Sequence, residues 1–446
     1  MNKKSPIQQF RDAVYQKMVK RADAGLDLLD ALTTAGHVES PVALSEEVPF
    51  RRKFSMVYDT LDNGEMDAAA LADILCQFQP GDSETLAGFE VYATDTTFNE
   101  RPQAETLPER EWLRHNKDEP AQAGWKFVWL VRLVERGTSW VAPQDVQRVP
   151  RDSTPNQTAG DQVKALDRRS STPKVVTADS GFFNQVFLSV FLVVRTVVAL
   201  VRMRHNITLY ERPQPKPKGT KGPARKHGPK FKLSNPPREP DDSETFELGK
   251  LTVKLTAWHS LQHMRRLPKL EGLALRVVFL KADGTPRYRL PLWVFWTGPL
   301  NVPLHNLCLM YLWRFAIEHA FRFMKQHLGL NANQSTYPAS VLLWMRWCAL
   351  AYWQLLLMRY EVEDLRPAWD PQPTAGASHS LTPGQVQRAA LRFLLRLGTP
   401  AAAPRAAGKG TGRAKGYHPA PRPRYAVVRK SKKRPQTTQN TVARVV

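Results

Sequence analysis

The sequence predicts a mixed α/β protein with a helical N-terminal part, and three observations predict it. Runs rich in Val, Phe, Tyr, Trp and Thr recur between residues 89 and 209, with turn or helical segments between them. Residues 1–85 instead carry apolar residues at helical intervals: Phe10, Val14 and Met18, then Leu26, Leu29 and Leu32. Finally, Tyr311 to Lys325 holds no Pro or Gly and spaces its apolar residues as one helix, with Gly329 as its stop.

Taken in order, the first 85 residues read as one helical, mildly basic unit, with Met56 to Tyr58 and Ala68 to Phe78 continuing the pattern. Phe89–Thr94 reads as a strand with Asp95 at its end. Gly124–Val134 and Thr138–Val141 read as two more strands, joined by a tight turn at Glu135-Arg136-Gly137. Gln162–Arg169 is a short helix, and Lys174 to Ala178 is a β-branched strand that again ends in an acid, Asp179. A turn at Gly181 then leads into an apolar helix, and Val201–Leu209 is a further strand.

Arg212 to Lys232 is rich in Pro, Gly and Lys and reads as an exposed loop suited to phosphate contact. Leu248–Trp258, Leu273–Leu280 and Tyr288–Thr297 have strand character and form a β-rich insertion. Pro338–Tyr360 is a strongly apolar helix, 361–382 a Pro-rich linker, and Pro383–Gly398 an amphipathic basic helix. From Pro400 the tail contains no acidic residue and is expected to be disordered on its own. The domain division is therefore 1–85, 86–211, 212–303, 304–360 and 361–446.

Over 446 residues, 64 Lys and Arg face 41 Asp and Glu, a formal charge of +23 that favours a polyanionic partner. Cys76, Cys308 and Cys348 are far apart, which argues against a disulfide framework or a zinc site and fits a reducing cytoplasm. The apolar stretches 182–201 and 341–358 carry Arg195 and Arg346, so both read as buried elements and no membrane span is expected. No Ser-His-Asp or Cys-His pattern and no GxxxxGK[ST] loop occurs, so neither covalent nucleophilic catalysis nor a nucleotide cofactor is expected.

At about 100° per residue, Tyr311, Arg314, Glu318, Arg322 and Lys325 share one helix face. Trp313, Ile317, Phe321, Met324 and Leu328 fill the next sector and turn toward a core, and His319 points away as a structural residue. A carboxylate among cations suits phosphodiester chemistry, although i,i+4 pairing such as Arg314 with Glu318 is also the ordinary behaviour of a solvated helix. Likewise, an Asp after a strand is ordinarily a turn residue or an N-cap.

The spacing of Tyr311, Arg314, Glu318 and Lys325 resembles the signature of one branch of bacterial insertion-sequence DDE transposases. The resemblance implies an RNase H-like catalytic core, in which the first and fourth strands lie side by side and bring Asp95 and Asp179 together. It implies Asp95, Asp179 and Glu318 as catalytic, metal-binding carboxylates holding two Mg²⁺ ions, with Mn²⁺ as a substitute. Tyr311, Arg314, Arg322 and Lys325 would hold phosphates, and Trp296 (with Trp293 the second Trp of the insertion) would stack on a base, although a buried strand aromatic is the more ordinary reading of either Trp. Residues 1–85 would bind DNA ends. The implied partners are double-stranded DNA and a second copy of the chain, and the implied setting is the bacterial cytoplasm, at the nucleoid. The implied activity is DNA cleavage at element ends and strand transfer. A non-cutting DNA-binding remnant and a nuclease without strand transfer remain open alternatives.

Overall fold

Local sequence signals set most helix boundaries in the computed structural model, which describes residues 4–114, 120–215, 226–263, 267, 269–367, 369, 380–406 and 412–426. Helix α1 (Pro6–Gln16) opens with a capping box between Ser5 and Gln8, and Pro6 sits where its missing N–H costs nothing. A short strand β1 (Met18–Lys20) precedes α2 (Ala22–Thr34) and α3 (Ser55–Asn63). Strand β2 (Glu65–Met66) pairs with β1, and Asp67 caps α4 (Ala68–Gln77) by accepting from the N–H groups of Ala69 and Ala70.

The central part runs β3 (Thr85–Leu86), β4 (Phe89–Glu100), β5 (Glu111–Leu113), β6 (Gln122–Leu133), β7 (Val141–Arg148), α5 (Pro155–Asp167), β8 (Lys174–Ala178), α6 (Gln185–Leu188) and β9 (Val197–Met203). Its strands lie in the order β7-β6-β4-β8-β9. Strands β4, β8 and β9 are mutually parallel, and β6 is antiparallel to β4 and β7. That is the RNase H-like arrangement, with its first and fourth strands adjacent.

Six more strands follow: β10 (Thr208–Tyr210), β11 (Lys230–Lys232), β12 (Asp242–Leu248), β13 (Leu251–Gln262), β14 (Glu271–Leu280) and β15 (Leu292–Trp296). The insertion is not a separate body. Strand β15 pairs with β9, so the insertion prolongs the core sheet, into one of 13 strands among the described residues. The chain closes with α7 (Leu304–Trp313), α8 (Phe315–Gln326), α9 (Pro338–Met358) and α10 (Pro383–Leu397).

Strand alternation divides two hydrophobic cores. Val91, Ala93, Phe127, Trp129 and Val131 face one core, shared with α1, α2 and α7 to α10. Tyr92, Val128, Leu130, Val176 and Ala178 face the other, against α5 and α6. Helix α9 is long and apolar enough to cross a membrane, but here it is largely buried in the first core. Arg346 and Gln354 stay within this helix, and the Gln354 amide donates to Thr33 Oγ1 at 2.9 Å.

Several boundaries differ from the sequence reading. Strand β4 does not end at Thr94 but runs to Glu100, because its antiparallel ladder with β6 continues to the pair Glu100–Gly124. The third strand is Val141–Arg148 instead of Thr138–Val141; the turn residue Gly137, at φ +78°, hands the chain on to it. The helix expected at Gln162–Arg169 starts earlier, at Pro155, where Thr154 caps it. After Gly181 the apolar helix is a single turn followed by a 3₁₀ segment at Ser189–Leu192, and the next strand is Val197–Met203. The tail is partly seated. Arg52 donates to Ala402 O at 2.7 Å, Arg422 donates to the Tyr337 hydroxyl at 2.8 Å, and the Arg110 guanidinium stacks 4.7 Å from the Tyr425 ring centre. Much of loop 212–232, part of the linker and the end of the tail lie outside the described residues.

Helix α8 stops at Gln326, and Gly329 then turns the chain at φ +57°. A Cβ there would meet Val38 O at 2.6 Å and Val38 Cβ at 2.9 Å. Gly329→Ala is therefore expected to cost about 2 kcal/mol through positive φ and the clash together. Denaturant unfolding checks this as a lower midpoint at unchanged slope.

Candidate functional site

The parallel register of β4 and β8 determines where two acids emerge. The last pair is Ala93 with Thr177, so Asp95 and Asp179 each stand two residues beyond it, at the same level of adjacent strands. Both share the alternation phase of Val91, Ala93 and Val175, which face the core beneath α7 and α8. Helix α8 brings Glu318 to the same side in its first turn.

Arg314 joins the two elements. Its Nη1 donates to Asp95 Oδ2 at 3.2 Å and its Nη2 to Glu318 Oε1 at 2.5 Å. The Arg314 side chain is 5% exposed, while that of Glu318 is 45% exposed. The guanidinium carbon also lies 5.8 Å from the Tyr311 ring centre and 5.2 Å from that of Phe315. Asp95 Oδ1 accepts from the Thr96 N–H at 2.7 Å. Asp179 Oδ1 accepts from the Gly181 N–H at 2.9 Å, a turn in which a Cβ on residue 181 would approach that oxygen to 3.1 Å.

Burial pushes the Asp95 carboxyl up to about 6; Arg314 and the Thr96 N–H oppose that rise, and the charges of Asp179 and Glu318 add to it. Asp95 thus feels both other carboxylates. Burial pulls the Arg314 guanidinium down, but Tyr311, Asp95 and Glu318 outweigh it, so the group is more firmly charged than an ordinary arginine. Partial desolvation lowers the Lys325 ammonium although the residue as a whole stays exposed, with Glu100 and Asp95 opposing.

The helix predicted across residues 311–325 is two helices. At the joint the Arg314 N–H reaches back only to Tyr311 O, at 3.2 Å, and the Ile317 N–H to Arg314 O, at 3.1 Å; these 3₁₀-type bonds tighten the turn. The predicted row is divided as a result. Glu318, Arg322 and Lys325 are exposed, whereas Tyr311 and Arg314 are buried. Trp313, Ile317, Phe321, Met324 and Leu328 are all buried, as the core-facing sector predicts. His319 is exposed.

Trp296 corrects an expectation. It is fully buried, its indole N–H donates to Pro299 O at 2.9 Å, and its ring packs edge-on against Phe89 with centres 5.6 Å apart. No base can stack on it in this arrangement. Trp293 is buried too, beside Trp258. A cleft of ≈ 630 Å³ opens beside the acids, lined among others by Ser180, Arg202, Arg204, Tyr288, Tyr311 and Phe315. Arg202 and Phe315 acquire no role from sequence reasoning. The outward phase of β9 points to Arg202, and helical period alone places the exposed Phe315 outside the core-facing sector.

A family model described as DDE superfamily endonuclease matches residues 13–265, more than half of the chain. The chain belongs to the DDE superfamily of endonucleases. No curated protein sequence matches it. The matched segment of this DDE endonuclease includes Asp95 and Asp179 and ends before Glu318. DDE-type endonucleases act on DNA and use divalent metals.

Among the described residues, no three His, Cys, Asp or Glu side chains stand together as a ready metal cluster. The donor chemistry nevertheless fits a hard divalent cation: three carboxylates on one face, with a half-buried Asp95 whose charge Arg314 and one backbone N–H offset.

Proposed function

We propose that this DDE endonuclease is a transposase that cleaves DNA at the ends of its element and joins those ends to target DNA. The observation that supports it best is the meeting of Asp95 and Glu318 on one guanidinium, with Asp179 in register beside Asp95. In this reading Asp95, Asp179 and Glu318 hold Mg²⁺ (Mn²⁺ substituting), which when bound activates a water or 3′-hydroxyl and stabilises the leaving oxygen.

The chain's own groups do the rest. Exposed Arg322 and Lys325 neutralise phosphates flanking the scissile bond, and Arg314 reaches a phosphate from beneath them. Arg202 and Arg204 at the cleft carry the same positive field toward the insertion. Tyr311 packs beneath Arg314 and holds the guanidinium in place. The N-terminal helices bind the element's ends, and two copies of the chain pair the two ends. The spacing from Tyr311 to Lys325 supports the insertion-sequence branch.

The test is incubation of the full chain with Mg²⁺ and a duplex carrying the gene's flanking ends. Nicks that leave 3′-hydroxyls at the ends, followed by joined products with target DNA, support the reading. Cleavage without joining would make it a nuclease of the same fold. Binding without cleavage would make it a remnant.

Acid should weaken metal loading. A ligand raised to about 6 is mostly protonated at pH 5, and the proton competes with the cation. Mn²⁺ affinity is expected to fall about tenfold from pH 7.5 to pH 5, measured through the unbound ion. Stability of the ion-free protein moves the other way. A carboxyl raised from 3.8 favours the fold in acid, and that contribution is lost as pH rises through about 6.

A further inference from the structure

The site has a cation of its own, the Arg314 guanidinium. Arg314 spans Asp95 and Glu318 through two different nitrogens, is buried, and is held on its flanks by the Tyr311 and Phe315 rings. It sits at the joint between α7 and α8, where 3₁₀-type bonding fixes the backbone from which it extends. Both Asp95 oxygens already accept protein hydrogen bonds, Oδ1 from Thr96 and Oδ2 from Arg314.

Carboxylates gathered in a partly buried site repel one another unless a counter-charge is supplied. Glu318 and Arg314 stand four residues apart across the first turn of α8, so their contact survives small movements. The contact with Asp95 is the longer of the two and crosses between sheet and helix. It is the one that competes directly with an entering divalent cation for Asp95 Oδ2.

We infer that Arg314 is the built-in counter-ion of these carboxylates, yields Asp95 to an entering divalent cation, and becomes available to a DNA phosphate only then. The inference rests on the metal-binding reading of Asp95 and Glu318. Its consequence is coupling: the cation and the phosphate each favour the state in which Arg314 has left Asp95, so each strengthens the other's binding.

The experiment compares the full-length wild type with Arg314→Gln and Arg314→Lys. In the absence of DNA, Mn²⁺ affinity is expected to rise about tenfold in Arg314→Gln, because a charged competitor is gone. Arg314→Lys, which keeps the charge but cannot bridge two carboxylates in a plane, should lie between. Arg314→Gln should melt lower than wild type in EDTA and regain the difference with Ca²⁺. In the wild type Ca²⁺ should tighten binding of an end-containing duplex, and this tightening should vanish in Arg314→Gln.

Unchanged or weaker Mn²⁺ binding in Arg314→Gln would overturn the inference and make Arg314 a scaffold for the site. If Arg314→Gln does not fold, Arg314→Lys binding Mn²⁺ no more tightly than wild type overturns it equally. Failure of the metal reading itself looks different: wild type and both variants would all bind no Mn²⁺, and Asp95→Asn would change nothing.

Discussion

Glu318→Gln is expected to cut cleavage of an end-containing duplex by on the order of 10³-fold or more, about 4 kcal/mol of barrier, while leaving DNA binding intact. The amide keeps the shape of the side chain but loses the charge that would hold a cation. Glu318 is half exposed, and Arg314 is its partner, so the fold loses little. Arg314 retains Asp95 as its other partner, which keeps the buried guanidinium compensated. Single-turnover cleavage with Mg²⁺, alongside a binding assay at matched salt, separates the two effects. Cutting at a wild-type rate would remove Glu318 from the catalytic set and leave the two aspartates without their helix-borne third.

Trp296→Ala should act on the fold and not on a DNA contact, with a loss of about 3–5 kcal/mol. The ring is fully buried between Phe89 and the turn at Gly298, where a Cβ on residue 298 would come within 2.2 Å of the indole. Strand β15, which carries Trp296, is also the one that fastens the insertion to β9. Truncation therefore opens a cavity at the seam between insertion and core. Trp296→Phe should recover much of the stability and cleave normally where folded. Chemical denaturation measures the first claim and cleavage below the transition the second. A Trp296→Ala protein of normal stability that fails only in cleavage would restore a base-stacking role for this ring.

The two acids were legible because strand-like runs that end in Asp are visible without coordinates, and Lys174 to Ala178 falls where the sequence places it. The core-facing sector of the helix that carries Glu318 was legible too, since period alone selects Trp313, Ile317, Phe321, Met324 and Leu328. Strand ends were less so. A propensity run cannot reveal that β6 will keep pairing with β4 beyond Asp95, because the partner lies some 30 residues away in the chain. For the same reason the sequence left Trp296 open between a buried strand aromatic and a stacking ring. Whether an aromatic on a strand faces a core or a groove depends on what packs over it, and its cover comes from Phe89 and Pro299.

The order of chemical groups along the chain, the net positive charge and the spacing from Tyr311 to Lys325 belong to the sequence by itself, since each depends only on residue identity and short-range period. The tertiary structure alone decided three things: the level register of Asp95 with Asp179, the tightened turn at the buried Arg314, and the seating of that guanidinium between Asp95 and Glu318. Each of these joins residues far apart in the chain or trades helix regularity for burial. Long-range pairing and desolvation carry no signature in a local pattern, so they are settled only when the whole chain has packed.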